Sequence, residues 1–339
     1  MRLSHRLLAI CLLLSAGLVG VAGVVNVATA QTDLGGQRVA TSSGTFLKIG
    51  LDARAAGLAG AYNAIARGPS SIFFNPAGLL EDDHSASLSL QFIQWPGDIQ
   101  IGAVSASRDL PSLGARLAAG VAFFGTDFPE TSEFYPLGTG RTVSYSDLLV
   151  AVSFARNFTD RLAIGVTAKY LREDMASNVG GPLAHGMLLD AGTVYRLGYR
   201  NARLAITLAH FGPDLEPTGG FESRVTGSTI AYSAFSPPTQ FQLGFSIDAM
   251  NLEPHRISLA TQVLHQADNQ ETLRGGLEYL FRERIAVRTG YDFSADEMAF
   301  AAGLGFRTEL GGRAGSLDYA YTEGGRLPTV HRWSLGFAL

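Results

Sequence analysis

From residue 84 onward the sequence is built of segments in which apolar residues alternate with small or polar ones. In segment 161–172, for example, Leu162 and Ile164 alternate with Gly165 and Thr167. A period of two places every second side chain on the same face of a β-strand. The pattern therefore predicts strands that each have one apolar face and one polar face.

About fourteen such segments can be counted, and sequence patterns place their ends to within ~2–4 residues. They are 84–95, 98–108, 114–125, 142–156, 160–172, 184–198, 201–212, 238–250, 254–267, 271–282, 284–294, 297–308, 313–323 and 328–339. The three long connections, 126–141, 173–183 and 213–237, each follow an odd-numbered segment, and every connection after an even-numbered segment is short. Outer-membrane barrels sort their loops in this way, with short periplasmic turns and longer outer loops. The sequence therefore predicts an all-β fold, a closed antiparallel transmembrane barrel of about fourteen strands.

Composition is consistent with a membrane barrel. Only 17% of the 339 residues are charged, 40 are glycine, and the net charge of −4 comes without any basic run. These values give no indication of nucleic-acid binding. After residue 30 no apolar run of ~18 residues occurs, so a chain in a membrane would have to cross it as strands. Since a soluble periplasmic β protein has no reason to sort its loops, we disfavour that alternative.

The first thirty residues have the pattern of a secretory signal peptide. Two arginines precede a long apolar stretch, and Ala28-Thr29-Ala30 forms a small-x-small cleavage site. We expect the mature chain to begin at Gln31, without the only cysteine, Cys11, and therefore without disulfides. The predicted location is the outer membrane, with both termini in the periplasm because the strand number is even. The predicted divisions are 1–30 signal peptide, 31–83 lead-in and hatch segment, and 84–339 barrel.

Residues 44–80 lack the alternating pattern and are rich in small residues. Asp52 is a suitable N-cap for a helix that continues to about Ala66. A second helix start is predicted where Asn75 precedes Pro76, because proline at the first helical position loses no hydrogen bond. Since this apolar segment needs cover, we expect it to lie inside or across the periplasmic end of the barrel.

Three motifs in this stretch resemble the opening of the PorV/PorQ family, outer-membrane proteins related to the FadL long-chain fatty acid transporters. They are FLKIG at 46–50, RAAGLAGAY at 54–62 and FFNPAGLL at 73–80. The resemblance implies that the segment is an N-terminal helical hatch that plugs a fourteen-stranded barrel and lies along an apolar ligand route. The residues implied for the hatch and route are Gly57, Gly60, Phe73, Phe74, Asn75, Pro76, Ala77, Gly78 and Leu79.

The charged residues on the polar strand faces are mixed in sign. They are Arg116, Lys169, Asp248, Arg274, Glu278, Arg284, Arg288, Asp292, Arg307, Asp318 and Arg332. An aqueous pore selective for one sign of charge would show a ring of that sign. Small residues with mixed charges instead favour a lumen that is occupied by protein, and the hatch is the expected occupant.

The last strand carries four apolar residues on one face and ends the sequence. These residues are Trp333, Leu335, Phe337 and Leu339. The arrangement resembles the C-terminal signature that the barrel assembly machinery reads, with leucine in place of the usual final phenylalanine. Aromatic residues near strand ends, such as Trp95, Tyr170 and Tyr291, are candidates for interfacial girdles that contact outer-membrane lipids.

No motif in the sequence indicates catalysis, a metal site or a cofactor: HExxH, GxSxG and Cys/His clusters are all missing from it. We therefore expect a protein that is not an enzyme. Two functions remain open. The first is transport or binding of a hydrophobic small molecule. The second, also implied by the resemblance, is a type IX secretion role in which the outer loops hold secretion subunits or cargo. The loop 213–237 carries Phe221, Tyr232 and Phe235, which either bind such a partner or pack over the barrel mouth.

Overall fold

The computed structural model describes residues 42–222, 227–310 and 312–339, and in these ranges fourteen antiparallel strands close into a barrel. The strands are β1 (Ala86–Trp95), β2 (Ile99–Leu110), β3 (Ala115–Pro129), β4 (Thr142–Asn157), β5 (Leu162–Met175), β6 (Leu183–Arg196), β7 (Arg203–Phe211), β10 (Gln240–Leu252), β11 (His255–Gln266), β12 (Thr272–Phe281), β13 (Ile285–Asp292), β14 (Phe300–Leu310), β15 (Arg313–Thr322) and β16 (Val330–Ala338). β8 (Gly220–Glu222) and β9 (Thr229–Ala231) form a small separate sheet in the loop between β7 and β10. The predicted fold class is confirmed.

Each strand pairs with its neighbour in sequence, and β1 closes the ring against β16, for example at Leu90 opposite Leu335. The predicted sorting of short turns and long loops is confirmed, while the β8–β9 hairpin was not predicted. The register of β6 with β7 shifts between Leu189 and Ala191, next to the adjacent leucines Leu188 and Leu189. A second shift, between Asp248 and Met250 in β10, was not predicted. The predicted signal peptide and cleavage site lie outside the described residues.

The outer face of the barrel is apolar, whereas the inner face is mostly polar or small except near the long loops, where large apolar side chains also point inward. In β10, Leu243 and Phe245 are each 39% exposed on the outside, whereas Gly244 and Ser246 are buried on the inside. Water would oppose so broad an apolar surface, whereas a bilayer core accepts it and a closed barrel satisfies every strand edge. No helix among the described residues combines the length and apolar character needed to cross a membrane.

The inward and outward phase of β10 gives a direct test. A charge that faces lipid near mid-strand costs ~2–4 kcal/mol. We therefore expect Leu243→Arg to lower the yield of barrel folded in bilayers strongly. Gln242→Arg should have a small effect, because Gln242 faces the lumen and is hydrogen-bonded to Gln240 at 3.0 Å. Folding into lipid vesicles, followed by the heat-dependent gel shift, measures both variants. Equal yields would contradict the assignment of Leu243 to the outer face and of Gln242 to the inner face.

Residues 42–85 run through the inside of the barrel and are called the lumen segment below. Its elements are the 3-10 helices Thr45–Lys48, Pro69–Phe73 and Pro76–Glu81 and a short α-helix, α1 (Ala53–Ala56). α1 contacts β14, β15 and β16, and Pro76–Glu81 contacts β3, β4, β5 and β6 on the opposite wall. The segment thus touches both sides of the barrel interior.

The predicted helix from Asp52 to Ala66 is wrong in length. Asp52 does cap it, because its side chain accepts a hydrogen bond of 2.7 Å from the backbone N–H of Arg54. The helix ends at Ala56, because Ala59 and Gly60 adopt left-handed backbone angles with φ of 50° and 82°. Residues 57–65 continue as turns that follow the wall. Helical periodicity alone did not distinguish consecutive turns from one continuous helix.

Glycines in the wall allow the backbone of the lumen segment to approach closely. A Cβ on Gly165 of β5 would lie 2.5 Å from the carbonyl carbon of Pro76, and one on Gly276 of β12 would lie 2.9 Å from the side chain of Leu58. A Cβ on Gly290 of β13 would overlap the backbone of Leu58. The inward glycines therefore provide space for the lumen segment itself.

Candidate functional site

The lumen near the long loops is filled by apolar side chains, and we call this region the apolar compartment. Its buried members are Phe46, Leu51, Ile93, Ile101, Ala103, Ala122, Leu149, Leu171, Ala184, Leu188, Leu215 and Val330. Leu47, Ile49 and Phe73 of the lumen segment pack against this cluster. An apolar region in this position is suited to hold a hydrophobic molecule if the lumen segment makes room for it.

The position of the lumen segment differs from the prediction at its first residues. We expected 44–80 inside or across the short-turn end, but Thr45–Lys48 lies near the long loops. There Ser43 donates its backbone N–H to the carbonyl of Ser236 at 3.1 Å, and Lys48 pairs with Asp268. The segment extends from that end to Asp82 near the short turns. The reason is electrostatic, because carboxylates at the long-loop end bind Lys48 and the hydroxyls beside it.

The residues predicted for the hatch and ligand route divide between two places. Phe73 reaches the apolar compartment, whereas Phe74 packs edge-on against Tyr62 at 5.1 Å, outside it. Leu79 is fully buried with Ile72 and small wall residues of β3 and β4. The Asn75–Leu79 run thus lies against the wall rather than in the apolar compartment.

Asn75 is the hydrogen-bonding centre of the NPAG motif. Its side-chain oxygen accepts from the N–H of Ala77 at 3.1 Å. Its amide nitrogen donates to the carbonyl of Asn63 at 3.1 Å and to that of Thr193 in β6 at 3.1 Å. One buried side chain therefore caps a helix, links two parts of the lumen segment and fixes them to the barrel. A Cβ added to Gly78 would lie 2.5 Å from the carbonyl oxygen of Ala66, so Gly78 lets these two parts meet.

The predicted positions Gly57 and Gly60 also face the wall. A Cβ on Gly57 would lie 3.1 Å from the Cα of Gly303 in β14. At Gly60 it would lie 2.8 Å from a guanidinium nitrogen of Arg274, in a backbone conformation that favours glycine. Both glycines are therefore explained by close contact with the inner wall.

A cavity of about 880 Å³ lies at the short-turn end, between the lumen segment and β1, β13, β14, β15 and β16. Polar residues such as Arg54, Arg67 and Ser334 line it, so we call it the polar compartment. Burial, followed by the nearby charge of Asp318, raises the pKa of Asp52. Burial, followed by the charge of Asp52, raises the pKa of Tyr62 to about 12. The short-turn end of the lumen thus carries charged and polar side chains that the buried cluster of the apolar compartment does not include.

In its first half, the lumen segment binds the wall through cations. Arg54 makes two hydrogen bonds of 2.9 Å to the carboxylate of Glu278 in β12. Glu278 also accepts from Arg288 at 2.5 Å, and Arg288 in turn donates to Asp318 at 2.6 Å. The result is a buried chain of alternating charges that joins the segment to three strands.

In its last residues, the lumen segment binds the wall through carboxylates. Glu81 pairs with Arg196 and, at 2.7 Å, with Arg203. Asp82 pairs with the buried Arg116 at 2.9 Å. Basic residues early in the segment and acidic residues late in it meet wall residues of the opposite sign, so charge complementarity favours one direction of the segment through the barrel.

A third buried group lies beside the apolar compartment. The ammonium of Lys169 in β5 pairs with Asp190 in β6 and lies 3.3 Å from Nδ1 of His210. His210 stands at the register shift in β7, where its backbone N–H donates to Asp190 at 2.8 Å. The lysine charge is therefore compensated within the wall.

Most of the predicted lumen charges face inward. Arg274 pairs with Asp292 at 2.9 Å, and Asp248 accepts from Ser258 at 2.6 Å. Arg307 is half-buried and lies 3.6 Å from Glu283. Arg284 lies in the turn between β12 and β13, where it is exposed and lines the polar compartment.

Arg332 is buried near the long-loop end. It donates to the carbonyl of Gly50 at 3.1 Å and to Thr322 at 2.8 Å, and it lies over the ring of Trp95. The expectation that Trp95 belongs to a lipid-facing girdle is therefore wrong, since Trp95 packs against the apolar compartment. Of the C-terminal residues, Leu335, Phe337 and Leu339 are exposed on the outer face. On that face the ring of Trp333 lies 5.8 Å from Phe92.

Several functional candidates were not singled out in the sequence. Asp147 in β4, Glu173 in β5, Asp190 in β6 and Asp268 in the β11–β12 loop are all buried carboxylates at the long-loop half of the lumen. The first three stand at inward positions of their strands, so the strand alternation contained the signal for Asp147 and Asp190, whereas Glu173 fell in the predicted connection 173–183. Among the residues described, no group of three or more His, Cys, Asp or Glu side chains is arranged to hold a metal ion.

No protein-family model matches the sequence, and no curated protein matches it either. Solved structures do match in fold. The CymD monoaromatic hydrocarbon channel has a TM-score of 0.53 at 13% identity, covering 85% of this chain and 96% of its own. The toluene transporter TodX of Pseudomonas putida has a TM-score of 0.53 at 12% identity, covering 84% and 95%.

A FadL homologue of Pseudomonas aeruginosa gives a similar result, with a TM-score of 0.51 at 13% identity over 85% of this chain and 97% of its own. Identities this low establish a shared fold only. The chain is therefore a fourteen-stranded barrel with the same fold as these FadL-like channels.

Proposed function

We propose that this protein is an outer-membrane barrel that passes a hydrophobic compound through its lumen. The observation that carries the proposal is the apolar compartment, where large apolar side chains of the wall, such as Leu149 and Leu188, face inward against Phe46. An aqueous pore would place polar residues there. Pockets for hydrophobic ligands are lined mainly by apolar side chains with few polar groups, as this compartment is. The solved FadL-like channels of the same fold support this reading.

In the proposed orientation the long loops face the outside and the short turns face the periplasm, as in other outer-membrane barrels. The signal-peptide pattern of residues 1–30 supports export. A compound from outside would meet the apolar compartment first and would occupy space now filled by Phe46, Leu47 and Ile49. It would leave through the polar compartment. The lumen segment then acts as the hatch, which is also what the PorV/PorQ resemblance implies.

Uptake of labelled toluene by cells of a host that has no FadL-like channel tests this function. Expression should raise the initial uptake several-fold over cells with the empty vector. Leu149→Asn should remove most of the increase, because it adds a polar side chain within the apolar cluster, at a position that is 2% exposed. Gln91→Asn is the matched control, since Gln91 is a buried inward residue outside the apolar compartment. Uptake equal to the empty vector, with the protein folded in the membrane, would contradict the proposal.

We keep a secretion-associated role as a second candidate because the long loops expose apolar residues. Phe134 and Leu137 in the β3–β4 loop are 85% and 100% exposed, and Phe221 is 51% exposed. Single exposed aromatic residues are common, but several on one rim can bind a protein partner. Cross-linking in outer membranes, with Phe134→Ser and Leu137→Ser as the loss variant, tests this role. The secretion role would be contradicted if no partner is cross-linked, or if the variant cross-links the same partner as the unchanged protein.

A further inference from the structure

The long loops form a strongly acidic rim. We define the rim as residues 96–98, 130–141, 176–182, 212–239, 267–271, 293–299 and 323–329, the connections at the long-loop end of the strands. Its sequence contains eleven carboxylates and three arginines. The carboxylates are Asp98, Glu130, Glu133, Asp214, Glu216, Glu222, Asp268, Glu271, Asp296, Glu297 and Glu323. The formal rim charge of −8 exceeds the −4 of the whole chain, so the rest of the protein is net positive.

The cations that the structure describes in the rim, and Lys48 of the lumen segment beside it, each lie near a carboxylate. Arg141 lies 3.7 Å from Glu130, and Arg326 lies 3.6 Å from Glu297. Lys48 of the lumen segment pairs with Asp268. Each of these cations is therefore matched by a carboxylate, and the remaining rim acids leave the entrance negative.

Two more carboxylates lie just below the rim. Asp147 of β4 and Glu173 of β5 stand directly opposite each other, and they are 3% and 6% exposed. Tyr145 and Ser43 donate their hydroxyls to Glu173, and the N–H of Gly44 donates to it at 3.2 Å. Within the described residues no ion pair joins either carboxylate to a cation. A molecule displacing the start of the lumen segment would therefore pass buried acids.

Arg332 is the cation near the apolar compartment that has no carboxylate partner among the described residues. Arg332 is 6% exposed, and its guanidinium is covered by the carbonyl of Gly50 and the ring of Trp95. Lys169 is also near, but it is paired with Asp190. An anion would reach Arg332 only after passing the acidic rim and displacing Gly50.

We infer that the compound this barrel takes up is a neutral hydrophobic molecule and not an amphiphilic anion; the inference rests on the proposed function. Surface charges act over a Debye length of about 8 Å at physiological salt, and charges focused in a cleft change encounter rates strongly. The rim therefore lowers the local concentration of a carboxylate while leaving a neutral compound unaffected. Glu173, which accepts hydrogen bonds from Ser43, Gly44 and Tyr145, opposes the same carboxylate again at the entry to the apolar compartment.

Decan-1-ol and decanoate form a matched pair for the test, because they share an alkyl chain and differ in charge at pH 7.5. Initial uptake is measured in cells expressing the protein, after subtraction of the empty-vector value. We expect the rate of decanol uptake not to depend on salt. At low ionic strength we expect decanoate uptake to be at least tenfold slower than decanol uptake. Added salt should raise the decanoate rate. A triple variant of the rim, with Glu133→Gln, Glu216→Gln and Glu323→Gln combined, should also raise the decanoate rate. The control Glu253→Gln, in a short turn, should leave that rate unchanged.

The outcomes separate the two proposals. Uptake of decanoate as fast as that of decanol at low salt would overturn the inference and leave the proposed function standing. Loss of that decanoate uptake in Arg332→Gln would identify the anion site that the inference excludes. Uptake of neither compound, from folded protein, would refute the proposed function and the inference with it.

Discussion

Deletion of residues 44–80 is expected to convert an electrically silent barrel into one that conducts ions in a planar bilayer. The strands pair mainly with one another, so the barrel should still close without the segment. Barrels of eight strands are filled by their own side chains, whereas barrels of sixteen to eighteen strands enclose an aqueous channel. A fourteen-stranded wall whose inward positions include Gly165, Gly276 and Gly290 would leave an open lumen once the segment is removed. Single-channel recording measures the change.

A deletion that leaves the lumen segment intact serves as the control. Removal of residues 131–138 shortens the β3–β4 loop outside the strands and should leave the protein silent. Both proteins must first show the heat-dependent gel shift of a folded barrel. If the 44–80 deletion stays silent and keeps the heat stability of the full chain, this stretch does not close the barrel.

Substitution of Gly290 by valine is expected to displace the lumen segment without removing it. The new side chain would point into the barrel, where its Cβ overlaps the backbone of Leu58 and Ala59. Backbone held by the neighbouring wall cannot yield as a flexible side chain can, and overpacking of this kind typically costs ~1–3 kcal/mol or more. We expect a lower temperature for the heat-induced gel shift together with ion leakage in the planar bilayer.

Gly315→Val is the matched control for this prediction. Gly315 lies in β15 on the outer face, and the nearest atom to an added Cβ is 3.8 Å away. Valine favours strands, so the control should be neutral or slightly stabilising. Wild-type heat stability and no leakage in Gly290→Val would mean that Leu58 does not lie against this strand.

The barrel could be predicted from the sequence because each of its determinants is local. Alternation within a segment such as 161–172 defines a strand, and the position of the long loops defines how the strands are arranged. The same alternation also predicted that Lys169 and Arg288 point into the barrel. These features depend on the bilayer outside and the strand geometry, and not on which distant residues meet.

The interior of the lumen could not be predicted to the same degree, because it depends on contacts between distant residues. Glu278 is joined to Arg54 across 224 positions and Lys48 to Asp268 across 220, and no local pattern contains such pairs. The helix predicted to reach Ala66 ends at Ala56, where turns fit the wall glycines better than a continuous helix. The apolar compartment arises from single residues of separate strands, so it emerged only once the strands were arranged in space.

The most direct test of the account is to locate the bound compound. A neutral, photoreactive alkyl diazirine is applied to the protein in membranes, and labelled peptides are mapped with and without an excess of decan-1-ol. Label on outer-face residues such as Leu243 comes from the lipid phase and should not be competed. We predict competed label on Phe46, Leu149 and Leu188 of the apolar compartment. Competed label confined to the polar compartment, or no competed label inside the barrel, would contradict the account.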